Sequence, residues 1–487
     1  MCRNSGSVWT GLVQTYRSLP DVFFSELTPN RVAAPKLSVL NRPLAQALGL
    51  DAEALASPDN IQVLAGNVFP EGLPAIAQAY AGHQFGGFTQ LGDGRALLLG
   101  ELTTPSGQVV DIQLKGSGPT PYARRGDGRA ALGPMLREYL ISEAMHGLGI
   151  PTTRSLAVVT TGEPVFRESV LPGAVLTRVA ASHIRVGTFE FAATQGEDAL
   201  KALADYTIDR HYPELRDSAN PHANTYLAFL NAVIDRQAAL IARWMAVGFV
   251  HGVMNTDNMS IAGETIDYGP CAFMDRYDPS TVFSSIDRQG RYAYANQPRI
   301  GHWNLSRLAE ALLPLLNADE ATALSLAQNA IGEYPGLYQQ YWHSALCQKI
   351  GIANSDHQAV RLAGDLLDLM WHSGADFTNT FTQLGNDALN DPSFNEWLPR
   401  WHALIDTQAG GMAAAQRLMQ QVNPVAIPRN HLVQAALDDA EEEKGSFEPF
   451  EQLLQVIQTP FDQRHANTRY TQAPAADAKP YVTYCGT

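Results

Sequence analysis

A polar stretch with two aspartates, residues 251–267, carries side chains that could perform metal-assisted chemistry on phosphates. It reads HGVMNTDNMSIAGETID and is followed by Tyr268 and Gly269. The carboxamide of Asn258 and the carboxylate of Asp267 are hard oxygen ligands, of the kind that hold Mg²⁺ together with nucleotide phosphates. Asp257 adds a second carboxylate with a separable role. This stretch is therefore the centre of a candidate active site.

Two short apolar runs predict how these side chains are brought together. Residues 259–261 and 265–266 flank an Ala-Gly-Glu turn. This spacing predicts a tight β-hairpin whose second strand ends on Asp267. Such a hairpin would place Asn258 and Asp267 at its two ends, close to one another.

The order of the polar residues matches a spacing found in protein kinases. In kinases an HxD sequence opens a loop, an asparagine follows five residues after the aspartate, and an Asp-Phe-Gly or similar triplet follows the next hairpin. His251, Asn258 and the DYG triplet that begins at Asp267 fit this frame. Val253 stands at the position of the kinase base and cannot accept a proton. HG or DYG alone is explained by an ordinary turn, but the order and spacing together favour a nucleotide site.

A strand and a helix upstream predict a lysine–glutamate pair. Residues 109–114 are almost continuously apolar, which predicts a central strand ending at Lys115. A helix is predicted from about Pro134 through Met145. Glu138 on this helix is placed to pair with Lys115, as in the kinase ion pair that orients a lysine on phosphates. A solvated surface glutamate is the alternative.

Two glycine-rich segments and two arginines could bind anions. GHQFGG is followed by the pentapeptide GDGRA at residues 92–96, and residues 126–130 repeat GDGRA. Glycines let backbone N–H groups approach a phosphate, although a plain Asp-Gly hairpin explains the first copy equally well. Arg178 and Arg185 are seven residues apart. If that segment is helical, both could reach one anionic group, and solvated surface arginines are the alternative.

The order of the elements predicts an α+β fold with two kinase-like lobes. We expect an N-terminal extension over 1–70, an N-lobe with the nucleotide-binding sheet over 71–180, and a C-lobe with the polar loop and metal site over 181–305. Residues 306–487 are expected to form a helical C-terminal extension with a mobile tail. The aromatic and polar segment between Pro270 and Ile300 favours a substrate-side or lid loop more than a core. It contains Tyr277, Phe283, Tyr292 and Tyr294.

Composition limits the partners of the protein. The chain has 487 residues, and its 49 acidic against 34 basic residues give a net charge of −15. This balance argues against a nucleic-acid surface or an anionic membrane face. The apolar run 238–254 is interrupted by Arg243 and His251 and is too short to span a bilayer. Residues 1–20 lack the continuous apolar segment of a secretory signal. With four cysteines and no CxxC pair, neither a zinc site nor a disulfide scaffold is indicated, and we expect a cytoplasmic protein. We also expect a monomer.

Five longer strings carry a resemblance to a known family. They are YAGHQFGGF from Tyr80, QLGDGRA from Gln90, QLKGSGPTPYARRGDGRA from Gln113, HGVMNTDNMSI from His251 and DYGPCAFMD from Asp267. With these strings the chain resembles, over most of its length, the selenoprotein O family of protein adenylyltransferases, which have a kinase-like fold. The resemblance implies transfer of AMP from ATP to Ser, Thr or Tyr hydroxyls of proteins, with ATP bound in reverse relative to kinases. The alternatives are a kinase that uses Asp257 as base and an inert ATP-binding pseudokinase scaffold.

The resemblance also implies a role for each site residue. Asp257 would be the proton acceptor, and Asn258 and Asp267 would hold Mg²⁺, which Mn²⁺ could replace. Lys115, held by Glu138, would contact the phosphates. The other residues implied to line the nucleotide, beside Lys115 and Asp267, are Gly92, Gly94, Arg95, Asp127, Gly128, Arg178 and Arg185. The arginines fit a reversed nucleotide, because guanidinium groups must then hold the γ-phosphate away from the polar loop.

The C-terminal cysteine occupies a position of interest in this family. Many eukaryotic members carry selenocysteine near the C-terminus, whereas this chain has Cys485 third from its end. Cys271 lies four residues after Asp267. We hypothesise a disulfide between Cys271 and Cys485 that restrains the enzyme when oxidised, and two free thiols are the alternative.

Overall fold

An eight-stranded antiparallel sheet lies within the first 180 residues. In this computed structural model the described residues are 8–217, 224–442, 445–475, 478–479 and 481–483. The strands in chain order are β1 (Phe24–Leu27), β2 (Lys36–Leu40), β3 (Ala75–Gln78), β4 (Ala81–Gln84), β5 (Gly87–Gln90), β6 (Ala96–Thr103), β7 (Val109–Lys115), β8 (Ala130–Ala131), β9 (Arg154–Phe166), β10 (Val170–Ala180), β11 (Phe249–Val250) and β12 (Ala272–Phe273).

The sheet has the strand order β1-β3-β6-β7-β10-β9-β2, with β8 paired to β10. The predicted central strand ending at Lys115 is therefore confirmed as β7. Both edge strands, β1 and β2, come from the first 40 residues of the chain. Two short hairpin-like pairs stand apart from this sheet, β4 with β5 and β11 with β12.

Most helices of the described residues follow the strands of the main sheet, as the sequence pattern predicts, whereas the first four lie between strands of that sheet. They are α1 (Arg42–Ala47), α2 (Ala52–Leu55), α3 (Pro58–Leu64), α4 (Leu132–Gly147), α5 (Val186–Gln195), α6 (Glu197–His211), α7 (Thr225–Ala246), α8 (Gln297–Leu316), α9 (Glu320–Lys349), α10 (His357–Ser373), α11 (Phe377–Gly385), α12 (Trp397–Asp406), α13 (Gly411–Val422), α14 (Asn430–Glu441) and α15 (Glu448–Ile457). The predicted helix from Pro134 and the helical C-terminal part are confirmed. The fold is thus of the mixed α/β class. Among the described residues, no helix combines the length and apolar character needed to cross a bilayer.

Both faces of the sheet are covered, which explains its continuous apolar strands. Val158 and Leu176 belong to a large core that includes α4 and the later helices. Their chain neighbours Val159 and Val175 belong to a second core with Leu44 and other residues of α1–α3. Successive strand side chains point to opposite faces, so burial on both sides requires apolar residues at nearly every position.

One local prediction was wrong, and a second was wrong for its aromatic side chains. The runs 259–261 and 265–266 do not pair with each other, because the N–H of Ile261 donates to the Ile184 carbonyl at 3.0 Å and that of Thr265 to the Pro151 carbonyl at 2.9 Å. The aromatic side chains between Pro270 and Ile300 belong to the core, and the hydroxyl of Tyr292 donates to Asn255 Oδ1 at 2.5 Å. In both places tertiary contacts outweigh the local pattern.

Candidate active site

A cavity of about 800 Å³ collects most residues that the sequence singled out. It lies between the end of β7, the start of α5 and the polar loop 251–258. Its walls include Gly92, Gly94, Arg95, Lys115, Asp127, Gly128, Arg178, Arg185, Asp257, Asn258 and Asp267. Glu138 lies behind Lys115 and borders a smaller adjoining cavity of about 260 Å³. The fold therefore brings all of these residues to one place.

Five charged side chains form what we call the Asp267 cluster, namely Lys115, Glu138, Arg178, Arg185 and Asp267. Lys115 Nζ lies 2.6 Å from Glu138 Oε2 and 2.9 Å from Asp267 Oδ1. Arg178 Nη1 lies 2.6 Å from the same Asp267 oxygen, and Arg185 Nη1 pairs with Asp267 Oδ2. Burial favours a higher pKa for Asp267, but the charges of Arg185, Lys115 and Arg178 lower it well below its ordinary value. The cluster holds three cations against two carboxylates.

Four different elements supply the other members of the cluster, whereas Asp267 lies in the loop before β12. Lys115 ends β7, Glu138 lies on α4, Arg178 lies on β10 and Arg185 directly precedes α5. The two arginines are not on one helix, so the condition under which their spacing would bring them together is not met. They nevertheless reach one anionic group, the carboxylate of Asp267, because β10 ends between them.

Gln113 and Asp93 extend the cluster into the sheet. Arg178 Nη2 donates to Gln113 Oε1 at 2.6 Å, and Gln113 Nε2 donates to Asp93 Oδ2 at 3.1 Å. Both residues are buried. Sequence reasoning did not select Gln113, although a polar residue inside an apolar strand was a usable signal. Asp93 orients Gln113, and Gln113 in turn holds the guanidinium of Arg178 in place.

Asp257 has a much sparser environment. Its Oδ2 accepts one hydrogen bond, from Gln84 Nε2 at 3.3 Å. Its Oδ1 is buried without a hydrogen-bond partner among the described residues and lies against Gly82, where an added Cβ would fall 2.4 Å away. Burial raises the pKa of Asp257 to about 6, while the nearby charge of Arg185 acts in the opposite direction. Asp257 is thus a buried carboxylate that binds a proton more readily than an ordinary aspartate.

The β4–β5 hairpin is hydrogen-bonded to the polar loop 251–258. The N–H of His83 donates to Thr256 Oγ1 at 2.7 Å, and that of Phe85 donates to Asn255 Oδ1 at 3.2 Å. Glu190 on α5 bonds both Thr256 Oγ1 and His83 Nδ1. The two backbone contacts join segments 173 and 170 residues apart in the chain. Sequence reasoning selected this glycine-rich segment for anion binding but therefore did not predict its contact with the polar loop.

Residues of both GDGRA turns line the cavity. Gly128 has a φ of 66°, and a Cβ there would fall 2.2 Å from the backbone of Gly118, so the turn requires glycine. Asp127 receives two hydrogen bonds from Arg167, at 2.9 and 3.1 Å. The guanidinium of Arg95 lines the cavity and makes no hydrogen bond or ion pair within the described ranges. It is therefore available to an anion.

The candidate metal ligands offer an incomplete set of oxygen atoms. Asn258 Nδ2 donates to the Val253 carbonyl at 2.9 Å, which leaves Oδ1 for another partner. Both oxygens of Asp267 contact cations. Within the described residues, no group of three or more His, Cys, Asp or Glu side chains could hold a metal ion. The set still suits Mg²⁺, because this ion commonly takes only one or two protein ligands and fills its shell with phosphates and water.

Cys271 is a buried free thiol beside this site. Burial raises the pKa of the thiol to about 12. Thr483 Oγ1 donates to the neighbouring Pro270 carbonyl at 2.8 Å, so the described end of the tail lies close to Cys271. Cys485 lies outside the described residues, and its disulfide with Cys271 stays a hypothesis.

Known proteins show extensive similarity to this chain. A family profile described as "Protein adenylyltransferase SelO" matches residues 11–458. A protein nucleotidyltransferase YdiU of Alkaliphilus metalliredigens is 58% identical over 483 residues, covering 98% of this chain and 97% of the relative. Proteins of the same name from Halalkalibacterium halodurans and Methylorubrum populi are 58% and 54% identical, with 97% of this chain covered in each case and 96% and 98% of the relatives.

Proposed function

The chain belongs to the SelO family of protein adenylyltransferases, and we propose that it transfers AMP from ATP to Ser, Thr and Tyr hydroxyls of proteins. It is an enzyme of the nucleotidyltransferase class. The proposal of AMP transfer rests on one observation: the cationic Asp267 cluster and Asp257, a carboxylate with a raised pKa, line the same cavity.

Asp257 would accept the proton in the transfer step. The hydroxyl oxygen of the protein substrate attacks the α-phosphorus of ATP, and a new O–P bond forms. The bond from this phosphorus to the oxygen that bridges to the β-phosphate breaks, and pyrophosphate leaves with the electron pair. The hydroxyl proton moves to the carboxylate of Asp257. A pKa of about 6 suits this role, because the group is mostly ionised at neutral pH yet more basic than an ordinary aspartate.

Cations of the cavity would hold the phosphates. Lys115, Arg178 and Arg185 already converge on Asp267, and the guanidinium of Arg95 adds a further charge on the cavity wall. Fixed positive groups of this kind stabilise charge that develops on the phosphates and the leaving group without reorganisation. Asn258 and Asp267 would hold Mg²⁺, which neutralises phosphate charge when bound.

A kinase-like arrangement with a reversed nucleotide fits these positions. The Lys115–Glu138 pair joins a central strand to a helix, as in kinases. Val253, however, occupies the position of the kinase base, and the carboxylate of Asp257 lies at the hairpin side of the cavity instead. A reversed ATP would present its α-phosphorus, rather than its γ-phosphorus, to this carboxylate.

Position-specific labelling tests the proposal. The protein is incubated with a mixed protein extract, Mg²⁺, and ATP labelled on either the α- or the γ-phosphate, and label on protein is measured after gel separation. We expect label from the α-position alone, with a mass increase of one AMP group on hydroxyl-bearing residues. Label from the γ-position would indicate a kinase, and no label from either would indicate a scaffold. Parallel reactions with α-labelled UTP, GTP and CTP test the choice of ATP.

A further inference from the structure

An exposed apolar rim borders the cavity next to Asp257. Phe85 and Ile286 line the cavity and are 41% and 55% exposed. Phe88, on the same hairpin as Phe85, is 47% exposed. Single exposed apolar residues are common on protein surfaces, so exposure alone carries little weight. The position of this rim at the mouth of the proposed transfer site is what requires an explanation.

The backbone of Phe85 adopts a conformation that bulky residues avoid. Its φ is 50°, at the turn between β4 and β5. The left-handed backbone conformation is strained for a residue with a Cβ, and glycine would adopt it without this strain. The turn is held in place because the N–H of Phe85 donates to Asn255 Oδ1. Its ring also packs edge-to-face with that of Tyr292, with 5.1 Å between the ring centroids. Strain at such a position points to a role for the aromatic side chain.

Arg291 provides an unpaired charge at the same place. Its guanidinium lies beside the hairpin turn, since a Cβ on Gly86 would be 3.8 Å from Nη2. It stacks over Trp303 at 4.8 Å and Tyr292 at 5.7 Å from the ring centroids. Its side chain forms no ion pair with a carboxylate in the described part of the chain, although acidic residues outnumber basic ones by 49 to 34. An arginine held rigidly on aromatic rings is well suited to bind a carboxylate of another molecule.

We propose that Phe85, Ile286 and Arg291 form an acceptor surface that binds the segment of the protein substrate around the modified hydroxyl. This inference rests on the proposed transfer function. The bound segment carries an apolar side chain that packs on Phe85 and Ile286, and a carboxylate that pairs with Arg291. The substrates are therefore proteins with acidic and apolar residues near the acceptor Ser, Thr or Tyr.

The geometry links this surface to the acceptor and not to the nucleotide. Gln84, the chain neighbour of Phe85, donates to Asp257 Oδ2, so a hydroxyl beside that carboxylate lies close to the rim. The phosphate-binding cations belong to the Asp267 cluster and are supplied by β7, β10 and the start of α5. The two binding regions are thus built from different elements and can be altered separately.

Peptide libraries with a charge-reversed variant test the acceptor surface. Peptides with a central Ser, Thr or Tyr and randomised flanks are incubated with the full-length protein and α-labelled ATP, and labelled peptides are sequenced. Wild-type protein is expected to select acidic and apolar residues at fixed flanking positions. Arg291→Glu should replace the acidic preference by a basic one. Arg417→Glu, an exposed residue on α13, is the control and should leave the wild-type preference unchanged.

A kinetic measurement separates acceptor binding from nucleotide binding. Phe85→Ala and Ile286→Ala should each raise the KM for the selected peptide about tenfold, as loss of an apolar anchor does, while the Kd for ATP measured by calorimetry stays within about twofold of the wild type. An unchanged acidic preference in Arg291→Glu, or a weakened affinity for ATP in Phe85→Ala, would overturn the acceptor surface. If wild-type protein binds ATP but transfers no α-label to any peptide or protein, the transfer function itself fails, and the acceptor surface with it.

Discussion

Asp257 and Asp267 are both buried carboxylates of the same cavity, yet they have opposite electrostatic environments. Each oxygen of Asp267 contacts at least one cation, and its pKa is lowered well below the ordinary value. Asp257 accepts one long hydrogen bond from Gln84, and its pKa is raised to about 6. Burial raises the pKa of both, so the difference comes from the partners. One carboxylate anchors a charged cluster, and the other is left able to take up a proton.

The two aspartates should also differ in their contribution to stability. Asp267 and Glu138 offset the electrostatic repulsion among Lys115, Arg178 and Arg185. Removal of one carboxylate should therefore destabilise the whole cluster. Asp257, by contrast, is ionised at neutral pH in a place that disfavours its charge. Sites that perform chemistry often carry such local costs, and the variants below test whether this contrast holds.

Neutralising Asp267 should have the largest effect. In Asp267→Asn three buried cations lose their shared partner, and we expect the free energy of unfolding in urea to fall by about 3 to 5 kcal/mol. Transfer of α-label should fall to background. The matched control is Asp365→Asn, which breaks an exposed pair with Arg400 and should cost about 1 kcal/mol or less. Transfer by Asp267→Asn within threefold of the wild type would show that the cluster does not hold the nucleotide.

Two alanine variants in the β4–β5 hairpin test the position of Asp257. In Gly82→Ala the new Cβ would fall 2.4 Å from Asp257 Oδ1, so the carboxylate must move. Displacement of a reacting group by about 1 Å can lower turnover by about 10²-fold, and we expect a loss of this order in kcat with ATP affinity retained. Gly87→Ala is the control, because its Cβ would lie 3.6 Å from the nearest atom, the Gln84 carbonyl oxygen. Equal kcat values for the two variants would mean that Gly82 does not position the base.

A smaller effect is expected on stability when Asp257 becomes neutral. Because its folded pKa of about 6 exceeds the ordinary value of 3.8, the folded state retains a proton that the unfolded state has lost between these values. Stability therefore falls as pH rises through this window. Asp257→Asn lacks this penalty and should be more stable than the wild type above pH 6, by roughly 2 to 3 kcal/mol at most.

Urea unfolding of Asp257→Asn and wild type at several pH values measures this difference. It should vanish below about pH 4, where Asp257 is protonated in both states. The pKa of Asp267 is depressed, so its contribution has the opposite sign: it is present above the ordinary value of 3.8 and lost as pH falls below that value. A variant no more stable than the wild type at pH 7 would show that Asp257 is not electrostatically strained.

The sequence predicted which residues form the Asp267 cluster more accurately than it predicted how they come together. The Lys115–Glu138 pair could be predicted because a strand end and a helix position are readable from local patterns. Arg178 and Arg185 meet at Asp267, but through the end of β10 and not through a shared helix. They share an anionic partner, the Asp267 carboxylate, for a reason that the local pattern could not supply. Their contact with a nucleotide phosphate stays a prediction.

The support of Asp257 could not be predicted in the same way. Gln84 contacts Asp257 across a sequence separation of 173 residues, and no local periodicity encodes such a contact. The expected hairpin after Asn258 failed for the same reason, because its two runs bond to Ile184 and Pro151. Long-range pairing determines this part of the site, whereas the local pattern was sufficient to predict α4.

The most direct test of the contrast between the two aspartates is the pH dependence of kcat/KM for transfer of α-label, measured for wild type and Asp257→Asn. If Asp257 is the base, the wild-type rate should fall about tenfold per pH unit below the pKa of about 6. Asp257→Asn should retain ATP affinity, lose about 10²- to 10⁴-fold in rate and lose this acidic limb. A variant with the wild-type rate, or with the same acidic limb, would contradict the assignment of Asp257 as the proton acceptor.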